Sequence, residues 1–371
     1  LMFLSVLLVV FLYTPRFPVF TDLEGSTSIR LDTMSNLMFE LLILIYVFIF
    51  KFNKQLFVTS IIICTVLMQG ISPISAKIVT AIHYLALLNF ISILKDLYDR
   101  IHFNLYAVFK YFTLLNILLH SVSFFTGLKY AIITDLGENI VAGPYGILHG
   151  PYNFALLVFS GILIEFKRTR NLYSTYFIFL LFNLAIADSR VSFGAGLLCI
   201  AIMLYQNGFL KKSTILTFSI LFGALIIGMS TSLKTFTLLN SNIVNISSDP
   251  SLGMRLVNLE KYLDWVSSVK FIFGGGARIY TSFVTQYGLP GPFDNLYLRI
   301  LSEAGILGII IFLFSVLKLT RKVKRFLRSP LFALYVFQLI FGFFNESLLS
   351  IKGGQIVIIS AFILIQNEKD D

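Results

Sequence analysis

The chain holds only two cysteines, Cys64 and Cys199, and each lies inside an apolar run. They supply neither a disulfide framework nor a thiolate metal site. Charge is scarce as well: 13% of the 371 residues are charged, about half the share of an ordinary water-soluble domain. The four histidines do not cluster. No Walker glycine loop or dinucleotide fingerprint occurs, so nothing supports ATP-driven transport or a nucleotide cofactor. With no His/Cys cluster and no Asp-x-Asp pair on the outer face assigned below, a metal-free reaction is favoured over one using Mg²⁺ or Mn²⁺.

What the chain has instead is grease. It is 57% hydrophobic, with a mean hydropathy of +0.86. Runs of roughly 20 apolar residues recur from end to end, as membrane-spanning helices require. We expect an all-α, polytopic membrane protein, one membrane-embedded domain over 1–371. Spans are placed near 1–14, 34–50, 55–72, 77–94, 104–126, 147–165, 172–187, 191–207, 213–231, 296–317, 330–345 and 351–366, about twelve in all. Residues 1–13 look like a secretory leader, but no basic residues precede them and no small-residue cleavage site follows. They are taken as a first, short span.

The net charge of +10 invites a nucleic-acid partner, but membrane topology explains it better. Most of the basic residues fall in one set of alternate connectors: Lys51 and Lys54, Lys95 and Arg100, Lys167 to Arg170, Lys211 and Lys212, and the Lys318–Arg328 run. The positive-inside rule makes that face cytoplasmic and puts both termini there. The Lys318–Arg328 run is then a flank against anionic lipid.

One outer connector differs from the rest. Residues 232–295, between spans 9 and 10, are too long for a plain loop. Leu252, Leu256, Leu259, Leu263 and Val266 recur at helical spacing beside Trp265, which predicts an amphipathic helix at the membrane surface. Gly274-Gly275-Gly276 and Pro290-Gly291-Pro292 each force a turn.

Polar residues gather on this face, and each has two readings. Arg190, after Asp188-Ser189, faces lipid phosphate or a bound anion. Arg255 either snorkels to the interface or binds an anion. Arg278 and the glycine turn form an anion cradle or an ordinary tight turn. Asp294 caps the following helix or serves as a general base. Arg299 and Glu303 are spaced to pair with each other, and Gly305 and Gly308 to permit close helix packing. His149 is the one histidine in an outer connector; His83, His102 and His120 read as structural.

Three stretches together resemble the O-antigen polymerase/ligase superfamily: Arg255-Leu-Val-Asn-Leu, Phe271-Ile-Phe-Gly-Gly-Gly, and Asp294-Asn-Leu-Tyr-Leu-Arg-Ile-Leu-Ser-Glu-Ala-Gly-Ile-Leu-Gly308. Ser189-Arg190 and His149-Gly-Pro-Tyr-Asn153 resemble two further pieces of its pattern. Ligases typically have His where this chain has Asp294, which leans towards the polymerase branch. The family's aromatic residue four positions after the loop Arg is Leu259 here.

The resemblance implies a GT-C-like glycosyltransferase in the bacterial inner membrane, with a periplasmic active site and no cofactor. Its substrates would be undecaprenyl-pyrophosphate-linked oligosaccharides, with membrane lipid and a chain-length regulator protein as partners. It further implies that Arg190, Arg255 and Arg278 bind pyrophosphate, that Asp294 or His149 handles the attacking hydroxyl, and that Asn153 and Asn295 contact substrate. Two alternatives stay open: a ligase of the same superfamily, and a flippase or other transporter of lipid-linked oligosaccharide.

Overall fold

The computed structural model describes residues 1–13, 18–21, 28–51, 54–69, 73–126, 130–133, 139–142, 148, 151–187, 190–208, 259–279, 295–320, 326–342 and 352–366. Contacts divide the chain into two compact units: Leu1–Asn104, Ser247–Lys322 and Gly342–Ile358 form the first, and the remainder forms the second. Every predicted span that falls on described residues is helical; the 213–231 span lies outside them.

The first unit contains α1 (Met2–Tyr13), α2 (Leu31–Phe50), α3 (Lys54–Leu67), α4 (Ile74–Ile101), α9 (Ser268–Phe273) and α10 (Leu296–Thr320). α2 packs on α1 and α4, and α3 on α4 and α10. Phe39 of α2 stacks on Phe11 of α1 and meets Phe90 of α4 edge-on, each at 5.6 Å. α4 is longer than its apolar run predicts. Its 28 residues reach about 42 Å at 1.5 Å per residue. The helix continues through Lys95 to Arg100 because Asp96 is partnered there. Tyr46 Oη and Lys51 Nζ each donate to it at 2.9 Å, and Arg100 lies one turn on at 4.0 Å.

The second unit contains α5 (Leu105–Thr126), α6 (Pro151–Thr169), α7 (Thr175–Ala185), α8 (Arg190–Gln206) and most of α11 (Pro330–Gly342). α6 is its central helix, packed by α5, α7 and α8. Phe154 to Phe159 of α6 are wholly buried, as an all-round apolar helix requires. α7 starts at Ser174, whose side chain accepts the Phe177 N–H, a standard N-cap. At the end of α6, Lys167 Nζ donates to the Leu364 carbonyl at 2.7 Å, near the C-terminus of α12 (Gly353–Gln366). A cation there complements the negative end of the helix dipole.

Among the described residues, three helices are long and apolar enough to cross a membrane: Ile74–Ile101, Leu105–Thr126 and Leu296–Leu313. Six further apolar helices are shorter. The chain is helical, as expected, with two small additions among the described residues. Two antiparallel ribbons are present, β1 (Pro18–Thr21) with β2 (Ser28–Arg30), and β3 (Tyr130–Ile133) with β4 (Asn139–Ala142). The second pairs Tyr130 with Ala142 and Ile133 with Asn139. Both ribbons lie in connectors predicted as loops, where Tyr, Ile and Val favour extended backbone.

Candidate functional site

The first unit builds its most elaborate polar cluster where the glycine turn meets α10. Asn295 starts α10 by accepting the N–H groups of Tyr297 and Leu298 on its Oδ1, at 2.9 and 3.0 Å. Asn295 thus caps α10, while Asp294 lies outside the described residues. Nine residues of helix follow, Leu296 to Ala304, and then the backbone breaks at Gly305 (φ 63°, ψ −164°). The break leaves carbonyls without helical partners, and the glycine turn fills the gap. Gly275 N–H donates to Ser302 O at 2.8 Å and Gly276 N–H to Glu303 O at 3.0 Å.

Gly305 and Gly274 make this approach possible. A side chain on Gly305 would collide with the Ile272 carbonyl and lie 2.7 Å from Gly274 N. One on Gly274 would lie 2.5 Å from Ala304 N. Gly305 thus serves the loop and not helix–helix packing, and Gly308 faces its own helix at Ala304 and Ile300.

Glu303 is completely buried. Tyr84 Oη of α4 donates to its Oε2 at 2.8 Å, and the Arg278 backbone N–H donates to Oε1 at 3.1 Å. Arg299 Nε lies 3.5 Å from the same Oε1. The expected Arg299–Glu303 pair is present, but it is one of three fixings on one carboxylate. Such partners make burial of a charge tolerable. Next to Tyr84 on α4, His83 Nδ1 lies 2.5 Å from Glu40 Oε1 of α2. One turn earlier on α2, Asn36 Oδ1 accepts from Gln355 at 3.2 Å. Polar side chains therefore run through the apolar part of this unit.

Arg278 follows the turn as an exposed residue with φ at 56°. Its neighbours are buried anchors. Ala277 packs with Leu67 and Leu85, and its N–H donates to the Leu67 carbonyl at 3.1 Å. Ile279 packs with Tyr262 and Leu298.

Residues 259–265 are helical, as predicted. Tyr262 is buried, with Trp265 and Val266 packed around it, while Leu259 and Leu263 are 40% and 59% exposed. Aromatic bulk fits the slot against Ile279 and Leu298, which turns the leucines outward. Burial raises the Tyr262 pKa above its ordinary 10.0.

In the second unit, Asn153 is half-buried in the first turn of α6, and Arg190 is the first residue of α8. Buried His120 of α5 meets both neighbourhoods. Its ring centroid lies 4.2 Å from that of Phe154, and its Nε2 is 3.3 Å from the Ile186 carbonyl. His149, Arg255 and Asp294 lie outside the described residues. Tyr84 and the Glu40–His83 pair were not singled out from sequence. An ionisable residue inside an apolar run, as Glu40 is, was the available signal for the pair; Tyr84 gave none.

Residues 175–313 match the model of a family described as O-antigen ligase. No curated protein and no solved structure matches the chain. The matched stretch begins with the first residue of α7 and takes in Arg190, Arg255, the glycine turn, Arg278, Asp294 and the Glu303 cluster. The apolar helices and this match support a multi-pass membrane protein. By the residues it spans, the match supports a likeness to the O-antigen polymerase/ligase superfamily.

Proposed function

We propose that the chain is a GT-C-like polysaccharide polymerase with about twelve membrane spans, working at the periplasmic face of the bacterial inner membrane. It joins undecaprenyl-pyrophosphate-linked oligosaccharide units. A hydroxyl of one unit attacks the anomeric carbon of another chain. A new glycosidic C–O bond forms, the bond from that carbon to the diphosphate oxygen breaks, and undecaprenyl pyrophosphate leaves with the electron pair. The hydroxyl proton passes to Asp294, or to His149 in its place.

Negative charge grows on the departing diphosphate, so cations fixed in advance lower the barrier. Arg190, Arg255 and Arg278 are assigned to it, since guanidinium suits bidentate contact with phosphate oxygens. Asn153 and Asn295 are assigned to the sugars. Asn295 Oδ1 caps α10, which fixes the side chain at the start of that helix. Membrane lipid and a chain-length regulator protein complete the partners.

The reading rests on one observation. Inside the family-matched stretch, the glycine turn is hydrogen-bonded to the broken backbone of α10 and presents an exposed arginine beside it. The family description itself favours a second reading, a ligase that transfers finished chains to a lipid A-core acceptor. The test supplies purified protein with lipid-linked repeat units alone. A polymerase yields a ladder of products. A product that forms only on adding lipid A-core identifies a ligase, and no new glycosidic bond under either condition overturns both.

A further inference from the structure

We infer that Glu303 and Tyr84 are positioning residues for Arg278: the buried carboxylate, steadied by Tyr84, holds the arginine backbone in a conformation that presets its guanidinium for a diphosphate. The inference rests on the proposed role of Arg278 as a diphosphate ligand. It adds the residues that make that role effective.

Arg278 has φ 56°, a left-handed conformation that a side chain bearing a Cβ rarely adopts unaided. Something must compensate, and the bond from its own N–H to Glu303 Oε1 does so. That acceptor is charged, which makes the bond stronger than one to a neutral carbonyl. Glu303 is itself held. Tyr84 occupies Oε2, Arg299 lies beside Oε1, and the Glu303 carbonyl is engaged by Gly276 N–H.

On either side of Arg278 the backbone is pinned, by Ala277 N–H on the Leu67 carbonyl and by buried Ile279. With both neighbours buried, the arginine side chain is the one that faces outward. A long side chain on a fixed backbone loses less freedom when it takes up a ligand. Glu303, fully buried, acts on the ligand only through Arg278.

The experiment measures equilibrium binding of radiolabelled undecaprenyl pyrophosphate to the full chain in lipid nanodiscs. Variants are Glu303→Ala, Glu303→Gln, Arg278→Ala and Arg278→Ala with Glu303→Ala. Glu303→Ala is expected to weaken binding about tenfold, and Glu303→Gln, whose amide oxygen still accepts the Arg278 N–H, no more than about threefold. In the Arg278→Ala background, Glu303→Ala is expected to cost nothing further.

Unchanged binding in Glu303→Ala, or an equal loss with and without Arg278, overturns the positioning role. Unchanged binding in Arg278→Ala removes the diphosphate role of Arg278, and the inference falls with it. Where Glu303→Ala fails to fold, Tyr84→Phe takes its place, since it deletes one fixing without changing bulk. It is expected to lose about threefold in affinity, and that loss is expected to vanish without Arg278. A loss of equal size in both backgrounds overturns the inference.

Discussion

Replacing Gly305 with alanine is the sharpest test of how the loop is attached. The wild-type backbone sits at φ 63°, ψ −164°, a region open essentially to glycine alone, where other residues incur about 1–3 kcal/mol of strain. The added methyl would also meet the Ile272 carbonyl and Gly274 N. Relief requires the turn to back away, which breaks the bonds from Gly275 and Gly276 to the Ser302 and Glu303 carbonyls, at about 1 kcal/mol each. A local cost near 3 kcal/mol corresponds to roughly a hundredfold shift in an equilibrium. The apolar contacts of α2, α3 and α4 are untouched, so the loop is expected to detach while the helices stay assembled. Amide hydrogen exchange on the full chain in nanodiscs reads this directly. Exchange at Gly275 and Gly276 is expected to accelerate about a hundredfold, with α4 amides unchanged. A folded variant whose Gly275 and Gly276 amides stay as protected as in the parent would refute the reasoning.

Arg190→Ala and Arg255→Ala are each expected to abolish long products while membrane expression stays intact, with losses of about 10²–10³ in rate; full-length ladders from both variants would contradict the diphosphate assignment. Activity is expected to persist in EDTA, and a loss that Mg²⁺ restores would overturn the metal-free mechanism. Tyr262 contributes a pH dependence with a definite sign. Its folded-state pKa is raised by burial, so its contribution to docking is complete below pH 10 and fades as pH climbs through the raised value. Tyr262→Phe is expected to remove that alkaline sensitivity, read as tryptophan fluorescence of Trp265 against pH. It is also expected to raise the melting temperature slightly, because the Tyr262 hydroxyl has no hydrogen-bond partner among the described residues.

Helices were readable because the apolar runs in this sequence are long and the charges between them few. Errors came where a polar group is compensated by a partner far away in sequence. Lys95 to Arg100 read as a connector, yet Asp96 takes bonds from Tyr46 of α2 and from Lys51 just beyond it, and α4 runs on. The loop helix was legible from its leucine stripe, but Tyr262, which fills the slot formed by Ile279 and Leu298, was not singled out. The Gly-Gly-Gly turn, Arg278 and the Arg299–Glu303 spacing were all visible in sequence. That the turn plugs a break in α10 was not, because no local pattern announces that the helix kinks at Gly305. Tyr84 was invisible for the same reason, being apolar-compatible and ordinary within its span.

The bond between Tyr84 and Glu303 joins residues 219 positions apart. During synthesis α4 is made long before its partner exists. The turn at Gly274 to Gly276 emerges before α10, to whose carbonyls it will bind. So Arg278 acquires its final backbone only after α10 has entered the bundle. A nascent chain stalled short of Glu303 would carry every upstream helix and still present the arginine unset.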